Sequence, residues 1–483
     1  MTNNIYRRSR NLISSRIIEY GLLGLLMFSP LPAGSVYEWS ILVIQLAVFV
    51  MLAAYILMRE KPRINRSLKL ALKWPKFLFL GFLVFAIIQF VPVPKILVRI
   101  FSPSIYAYQQ LNTVEFSKLR FLSFSLIPSL SLRSFLEVLV YIIIGFLVLR
   151  TVTRRHQFIR IYSVIIALGV FEAFYGMYEL FNNNPHILFY KKIHNLDSVT
   201  GTFVNRNHLS GYLEMIVPLA IGLFIARIDL FSTARLTLRE KLLRLSEKGF
   251  STNALLFSAI ILMAVAVIFS KSRSGVFILV FTFILFLGLV SIYFSIYVVR
   301  KDWVRNFLRA AFFGFVFISL YVGIDAMLQR FSLDKLLQDQ RPTYWVNTMR
   351  TFADYPLFGT GLGTFGALYP NLEAKERGPV VLVHAHNDYL EYLSELGFIG
   401  FGLLIGGILY MAIVSFIVWS SRGHPEVKGL ALGGIIAIIG ILIHSITDFN
   451  LHIPANMVLF AVVLPLTMAV TFYRQGETPP EKK

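Results

Sequence analysis

The chain contains no cysteine among its 483 residues, which excludes disulfides, thiolate nucleophiles, iron–sulfur clusters and thiolate zinc sites. Acidic residues are also few, 26 against 46 Lys and Arg, leaving a formal charge of +20. Internal repeats are absent, and low complexity is confined to the polar tail at 475–483. A purely polar surface is lacking as well. Hydrophobic residues make up 56% of the chain and mean hydropathy is +0.68, too apolar for a soluble protein of this length.

What is present instead is a series of long apolar runs. Runs of about 17–25 such residues are the length that crosses a bilayer as a helix. They place spans near 17–33, 36–58, 77–92, 134–150, 158–180, 207–226, 254–270, 275–299, 307–324, 396–419, 428–446 and 454–473. The expected fold is an all-α integral membrane protein of about 12 transmembrane helices, an even number that puts both termini on one side. The Arg-rich start and the run to Ala33 read as an uncleaved first span rather than a signal peptide.

So strong a positive charge invites a nucleic-acid reading, but the basic residues cluster in alternate loops. Arg7, Arg8, Arg10 and Arg16 precede the first span, Arg59 to Lys76 follow the second, and Arg150, Arg154, Arg155 and Arg160 follow the fourth. Similar groups occur at 227–248, at 300–309, at Arg422 and Lys428, and in the tail. Most of the 46 cations therefore lie on the side of the termini, which the positive-inside rule makes cytoplasmic. Basicity is mostly topology and attraction to lipid headgroups, with no nucleic-acid partner.

The division that follows is residues 1–324 with spans 1–9, an outer loop at 325–385, spans 10–12 at 386–474 and a polar cytoplasmic tail at 475–483. Smaller outer loops fall at 93–133 and 181–206. The 325–385 loop is too short for an independent domain with its own core and reads as a lid over the spans. Within it, Leu333 to Gln338 and Arg341 to Phe352 read as short amphipathic helices, followed by a glycine-rich turn from Gly359.

With this topology, the unusual polar groups fall on one side. His186, His194, His208, His384, His386, His444 and His452 lie outside or at outer span mouths. So do Arg206, Arg273, Arg341 and Asp448. Arginines there need a counter-anion, and their forks match phosphate oxygens in a partly dry site. A lipid diphosphate fits better than a nucleotide made on the other side. The competing reading is that Arg273 and Arg206 anchor span ends by snorkelling and that Arg341 makes a surface ion pair.

The segment from His384 through Gly400 is the densest in candidates. Asn387, Glu391 and Glu395 recur every four residues, so in a helix that follows His386 they share one face, and were His386 in its first turn the dipole would favour neutral imidazole. A neutral histidine is a competent base. A structural histidine and a zinc pair of His384 with His386 are the alternatives, although no further array completes a metal site.

These residues resemble the bacterial O-antigen ligase and polysaccharide polymerase superfamily. His386-Asn387, nine residues, Gly397, two residues and Gly400 follow the ligases' pattern. Thr200 to His208, Ser272-Arg-Ser-Gly, Arg341 through Phe365, and Asp448-Phe-Asn-Leu-His-Ile-Pro-Ala-Asn resemble its other landmarks, covering roughly 200–460. The resemblance implies an inverting, metal-independent glycosyltransferase of the inner membrane, without a cofactor, acting on the periplasmic side. Its donor would be a glycan on a polyprenyl (undecaprenyl) diphosphate; its acceptor a glycan, a lipid A core or a protein. Carried over by motif, His386 would be catalytic and Arg273, Arg341 and Arg206 would hold the diphosphate. His384, Asn387, Glu391, His208 and Asp448 would support them. The ending at Asp448 leans toward polymer assembly over ligation. A transporter or flippase of lipid-linked glycans stays open as the alternative, although polar groups at mid-span and repeated halves, which transporters show, are missing.

Overall fold

The structure is a computed structural model that describes residues 2–58, 62, 64–184, 186–227, 250–297, 340–373 and 383–474. The expected ninth span at 307–324, the helix at 333–338, the basic groups at 59–61 and 300–309 and the tail lie outside the described residues. The chain is an all-α membrane protein whose only strands, among the described residues, form two short antiparallel pairs.

Its long helices are α1 (Thr2–Phe28), α2 (Glu38–Leu57), α4 (Lys73–Phe90), α7 (Pro128–Thr151), α8 (Arg155–Phe181) and α9 (Arg206–Arg227), with α3 (Arg66–Ala71), α5 (Lys95–Phe101) and α6 (Pro103–Asn112) between them. They continue as α10 (Phe250–Phe269), α11 (Arg273–Tyr297), α14 (Asp388–Ser420), α15 (Pro425–His444) and α16 (Pro454–Phe472). The shorter α12 (Arg341–Asp354) and α13 (Phe365–Glu373) precede α14. Among the described residues, 10 helical segments are long and apolar enough to cross a membrane. The expected first span falls on α1.

Three of these spans, α9, α15 and α16, are buried along nearly their whole length, and the others surround them with one face left for lipid. Lipid tails are as apolar as leucine, so helices in a bilayer associate through close packing rather than hydrophobic expulsion, and small residues allow it. Gly429 and Gly433 of α15 supply that closeness: a Cβ at Gly433 would stand 2.6 Å from the Pro218 carbonyl oxygen and 3.0 Å from Gly222 Cα of α9.

The bundle has two chemically different ends. At one, Arg150 donates to the Tyr55 hydroxyl at 2.8 Å, Arg155 pairs with Glu426 at 2.8 Å, Arg160 pairs with Glu19 and Arg422 donates to the Thr471 carbonyl at 2.7 Å. At the other, the ends of α1, α4, α8, α10 and α15 meet the starts of α2, α7, α9, α11, α14 and α16. There the Glu172 carboxylate, buried in α8, accepts from the Thr202 backbone N–H and hydroxyl, both at 2.8 Å. This fixes the turn that launches α9. Val199 N–H, donating to the Phe269 carbonyl at 3.1 Å, ties the same loop to the end of α10.

Helix α14 runs for 33 residues, about 50 Å at 1.5 Å each, well beyond the apolar thickness of a bilayer. The apolar span expected to start at 396 is therefore the continuation of the polar helix before it. The two parts join at Gly397, whose φ of 62° and ψ of −175° are outside helical space. That break lets the glycine-rich turn approach. Gly359, Gly361 and Gly363 all have positive φ, and the Glu395 carboxylate accepts from the N–H groups of Gly363 and Phe365, both at 2.8 Å.

Candidate functional site

His386 lies just outside α14, in the left-handed region with a φ of 51°. The condition of a histidine inside the first turn is not met, because Asn387 caps the helix: its side-chain oxygen accepts from Leu390 N–H at 3.1 Å. The first turn instead carries Asp388 and Glu391, the charge sign that a helix N-terminus favours. Outside the helix, the His386 ring swings toward the loop between α15 and α16. Its backbone carbonyl accepts from Trp345 Nε1–H of α12 at 3.3 Å.

Across from it, Asp448 is wholly buried and its two oxygens are shared among four groups. Oδ1 lies 3.1 Å from His386 Nδ1 and accepts from the Phe449 N–H at 2.9 Å; Oδ2 accepts from Asn207 Nδ2 at 2.6 Å and faces Arg341 Nη2 at 3.5 Å. Burial alone would push the Asp448 carboxyl up. The His386 hydrogen bond and the charges of His208, Arg341 and His386 outweigh that and hold it well below the usual carboxylate range. A permanent carboxylate at Nδ1 keeps the proton on that nitrogen, so Nε2 carries the lone pair. Among the described residues no hydrogen bond occupies Nε2.

Arg341 opens α12 and turns inward, donating through Nη1 to the Thr447 carbonyl at 2.7 Å. Thr447 also meets α11, its hydroxyl 2.8 Å from that of Ser274, the residue after Arg273. One loop, 447–449, thus gathers the first turn of α11, the first turn of α12, Asn207 of α9 and His386. Arg273 stands at the start of α11 beside this junction. Arg206 starts α9 next to Asn207, and its charge acts on Asp197, which Lys271 holds at 3.0 Å. Its place is the rim of the cluster rather than the Asp448 junction.

A second network lies against the first. The Glu391 carboxylate meets His384 Nδ1 at 2.8 Å, the Ala385 N–H at 2.7 Å and His452 Nε2 at 3.3 Å, while His452 Nδ1 lies 2.6 Å from Asp388. Burial would lower the His452 pKa, but the Glu391 charge and the Asp388 hydrogen bond push it up to about 10. His384, Glu391 and His452 have ligand atoms within 4.8 Å of one another and are the group, among the described residues, that could hold a metal ion. The alternative of a zinc pair of His384 with His386 is not brought together this way, because the two rings turn to different carboxylates.

Phe449 joins both networks. Its ring stacks on His384 at 4.3 Å and meets the edges of His386 and His208 at 4.8 and 4.7 Å. His208 is buried and anchors the cluster through its carbonyl, which accepts from Asn456 at 3.1 Å. His386, Arg273, Arg341, Arg206, His384, Asn387, Glu391, His208 and Asp448 all sit at this end of the bundle. Given no individual role from sequence were Asn207, Thr447, Phe449, Asp388 and His452, although His452 was among the outer histidines and Asn207, Phe449 and Asp388 stood within quoted motifs.

Residues 258–405 match the family described as O-antigen ligase. They include Arg273, Arg341, His384, His386, Asn387 and Glu391 but not Asp448 or Asn207. No curated protein matches the chain.

Proposed function

From the match of residues 258–405 to the family described as O-antigen ligase, we propose that the chain is a membrane enzyme of polysaccharide assembly that transfers a glycan from a polyprenyl diphosphate to an acceptor hydroxyl, at the periplasmic face of a bacterial inner membrane. The observation that carries this reading is the imidazole of His386 fixed by a buried carboxylate that is itself held by Arg341 and Asn207.

The acceptor hydroxyl gives its proton to His386 Nε2 as its oxygen forms the bond to the anomeric carbon. Asp448 holds the ring in that tautomer and stabilises the imidazolium that results. On the opposite face the bond from carbon to diphosphate oxygen breaks with inversion. A diphosphate leaves as an anion and needs no proton, so the requirement there is fixed positive charge. Arg273 and Arg341 supply it without a metal, with Arg206 at the rim drawing the headgroup in. The α12 segment closes over the cluster as part of a lid. Lys and Arg in the loops at the opposite end set both termini in the cytoplasm. The acceptor, a growing glycan, a lipid A core or a protein, decides between polymerase and ligase; the 448–456 motif leans to polymer assembly.

The test uses purified protein in nanodiscs with a polyprenyl-diphosphate glycan and candidate acceptors, with and without EDTA. Transfer is expected in the wild type regardless of EDTA, and loss of transfer in His386→Ala and Arg273→Ala at unchanged thermal stability. Normal transfer by His386→Ala, or glycan lipid moving between leaflets with no bond broken, would overturn it.

A further inference from the structure

The segment between α4 and α7 builds a small unit of its own. Two antiparallel strands, Val93–Pro94 and Phe121–Leu122, close its base, and α5 and α6 fold over a miniature core of Val98, Ile105, Phe116, Leu122 and Phe124. Phe124 stacks on Phe358 at 4.0 Å, and Phe358 in turn stacks on Phe85 of α4 at 5.4 Å. The unit is thereby locked to the bundle at the end that holds His386.

Its outer face is as apolar as its core. In α5 only Val98 points inward, while Ile96, Leu97, Ile100 and Phe101 are exposed, Ile100 by 60%. At the end of α6 and just past it, Leu111 and Val114 are 85% and 89% exposed, with Phe121 in the base strand at 56%. A helix apolar on both faces is stable only where the second face also leaves water. The same surface carries Lys95, Arg99, Lys118 and Arg120 against one carboxylate, Glu115, which Lys118 pairs at 2.6 Å. An apolar face ringed by cations, beginning five residues after a membrane span ends, has the make-up of an element that lies in the interface with its apolar side among acyl chains.

We propose that residues 93–122 form an interfacial anchor that dips into the leaflet at the His386 end, with Ile96, Ile100, Phe101, Leu111 and Val114 in the acyl region and Lys95, Arg99 and Arg120 on anionic phospholipid headgroups. This accounts for four cations at the end of the bundle where topology alone calls for few. It stands independently of the catalytic reading, since it needs only the membrane fold.

The cysteine-free chain makes the test direct. A nitroxide is attached at Leu111→Cys and, separately, at Ile100→Cys, with Leu46→Cys on the lipid face of α2 and Ser421→Cys in solvent as references. Oxygen and nickel-chelate accessibilities are read by spin-label spectroscopy in nanodiscs of neutral phosphatidylcholine or of the same lipid with phosphatidylglycerol. Both labels are expected to favour oxygen over nickel severalfold, as Leu46 does, and to move deeper in the anionic bilayer. That extra depth is expected to vanish in the Lys95→Gln, Arg99→Gln, Arg120→Gln background and to be unaffected by inorganic phosphate. Nickel accessibility like that of Ser421 would overturn the anchor. So would inaccessibility to both reagents, the sign of a protein partner. Equal depth in the two lipids would overturn the headgroup contact.

Discussion

Asp448 and His452 sit four residues apart, yet each serves a different network, and their titration separates them. His452 has a pKa raised to about 10, above the ordinary histidine value of 6.5, so its charged form stabilises the fold. That contribution is complete below pH 6.5 and disappears as pH rises through about 10. The gap in melting temperature between wild type and His452→Gln is therefore expected to be widest at pH 6 and to close by pH 10; a constant gap would contradict the ion pair. Arg341 makes a forked contact that lysine cannot copy. Arg341→Lys should raise the KM for the lipid-linked donor about tenfold, the equivalent of one charged hydrogen bond at about 1.5 kcal/mol, measured in initial-rate assays. Arg341, His386 and Asp448 were legible one by one, as polar groups out of place beside apolar runs. Asn207 and Thr447 were not, because ordinary polar residues acquire a role only from proximity, and Asn207 lies 241 residues before its carboxylate partner.

At the scale of elements, the kink in α14 is what joins the polar helix to its span. A side chain at Gly397 would be strained at φ 62° and would press into the Leu357 carbonyl. Gly397→Ala is expected to cost roughly 1–3 kcal/mol from backbone strain, with a lowered melting temperature. Gly402→Ala, five residues on in open space, should be neutral or slightly stabilising. Equal effects at both positions would remove the kink from the account. The sequence pattern of Gly397 and Gly400 thus has a physical content: the first admits the 357–359 backbone, the second the Phe85 ring. Span existence was legible from apolar runs, but helix starts were not. Helix α7 begins at Pro128 rather than 134, since Ser129, Ser131 and Arg133 do not read as apolar. Helix α14 begins at Asp388 because each of its early carboxylates finds a histidine or backbone donor.

For the whole molecule, the two ends differ in chemistry, one held by arginines and one by histidines and shared carboxylates. Sidedness follows from the charge rule and is open to labelling, again helped by the missing cysteines. In spheroplasts, a membrane-impermeant maleimide is expected to label Asp197→Cys, at the His386 end, and to leave Ser421→Cys unmodified until the membrane is permeabilised. The reverse pattern would put the site in the cytoplasm. The basic loops give this orientation as an expectation that the labelling tests; the convergence of α9, α11, α12 and α14 on the 447–449 loop was beyond the sequence, because a single sequence shows no pairing between distant helices.

The central claim is that His386 and Asp448 act as one base. Single-turnover transfer by His386→Ala, Asp448→Asn and the double variant, each checked for unchanged folding, tests it most directly. Either single change is expected to slow transfer by roughly 10²- to 10⁴-fold, and the double variant to be no slower than His386→Ala alone. Losses that multiply in the double variant would show two residues working separately and would contradict the account.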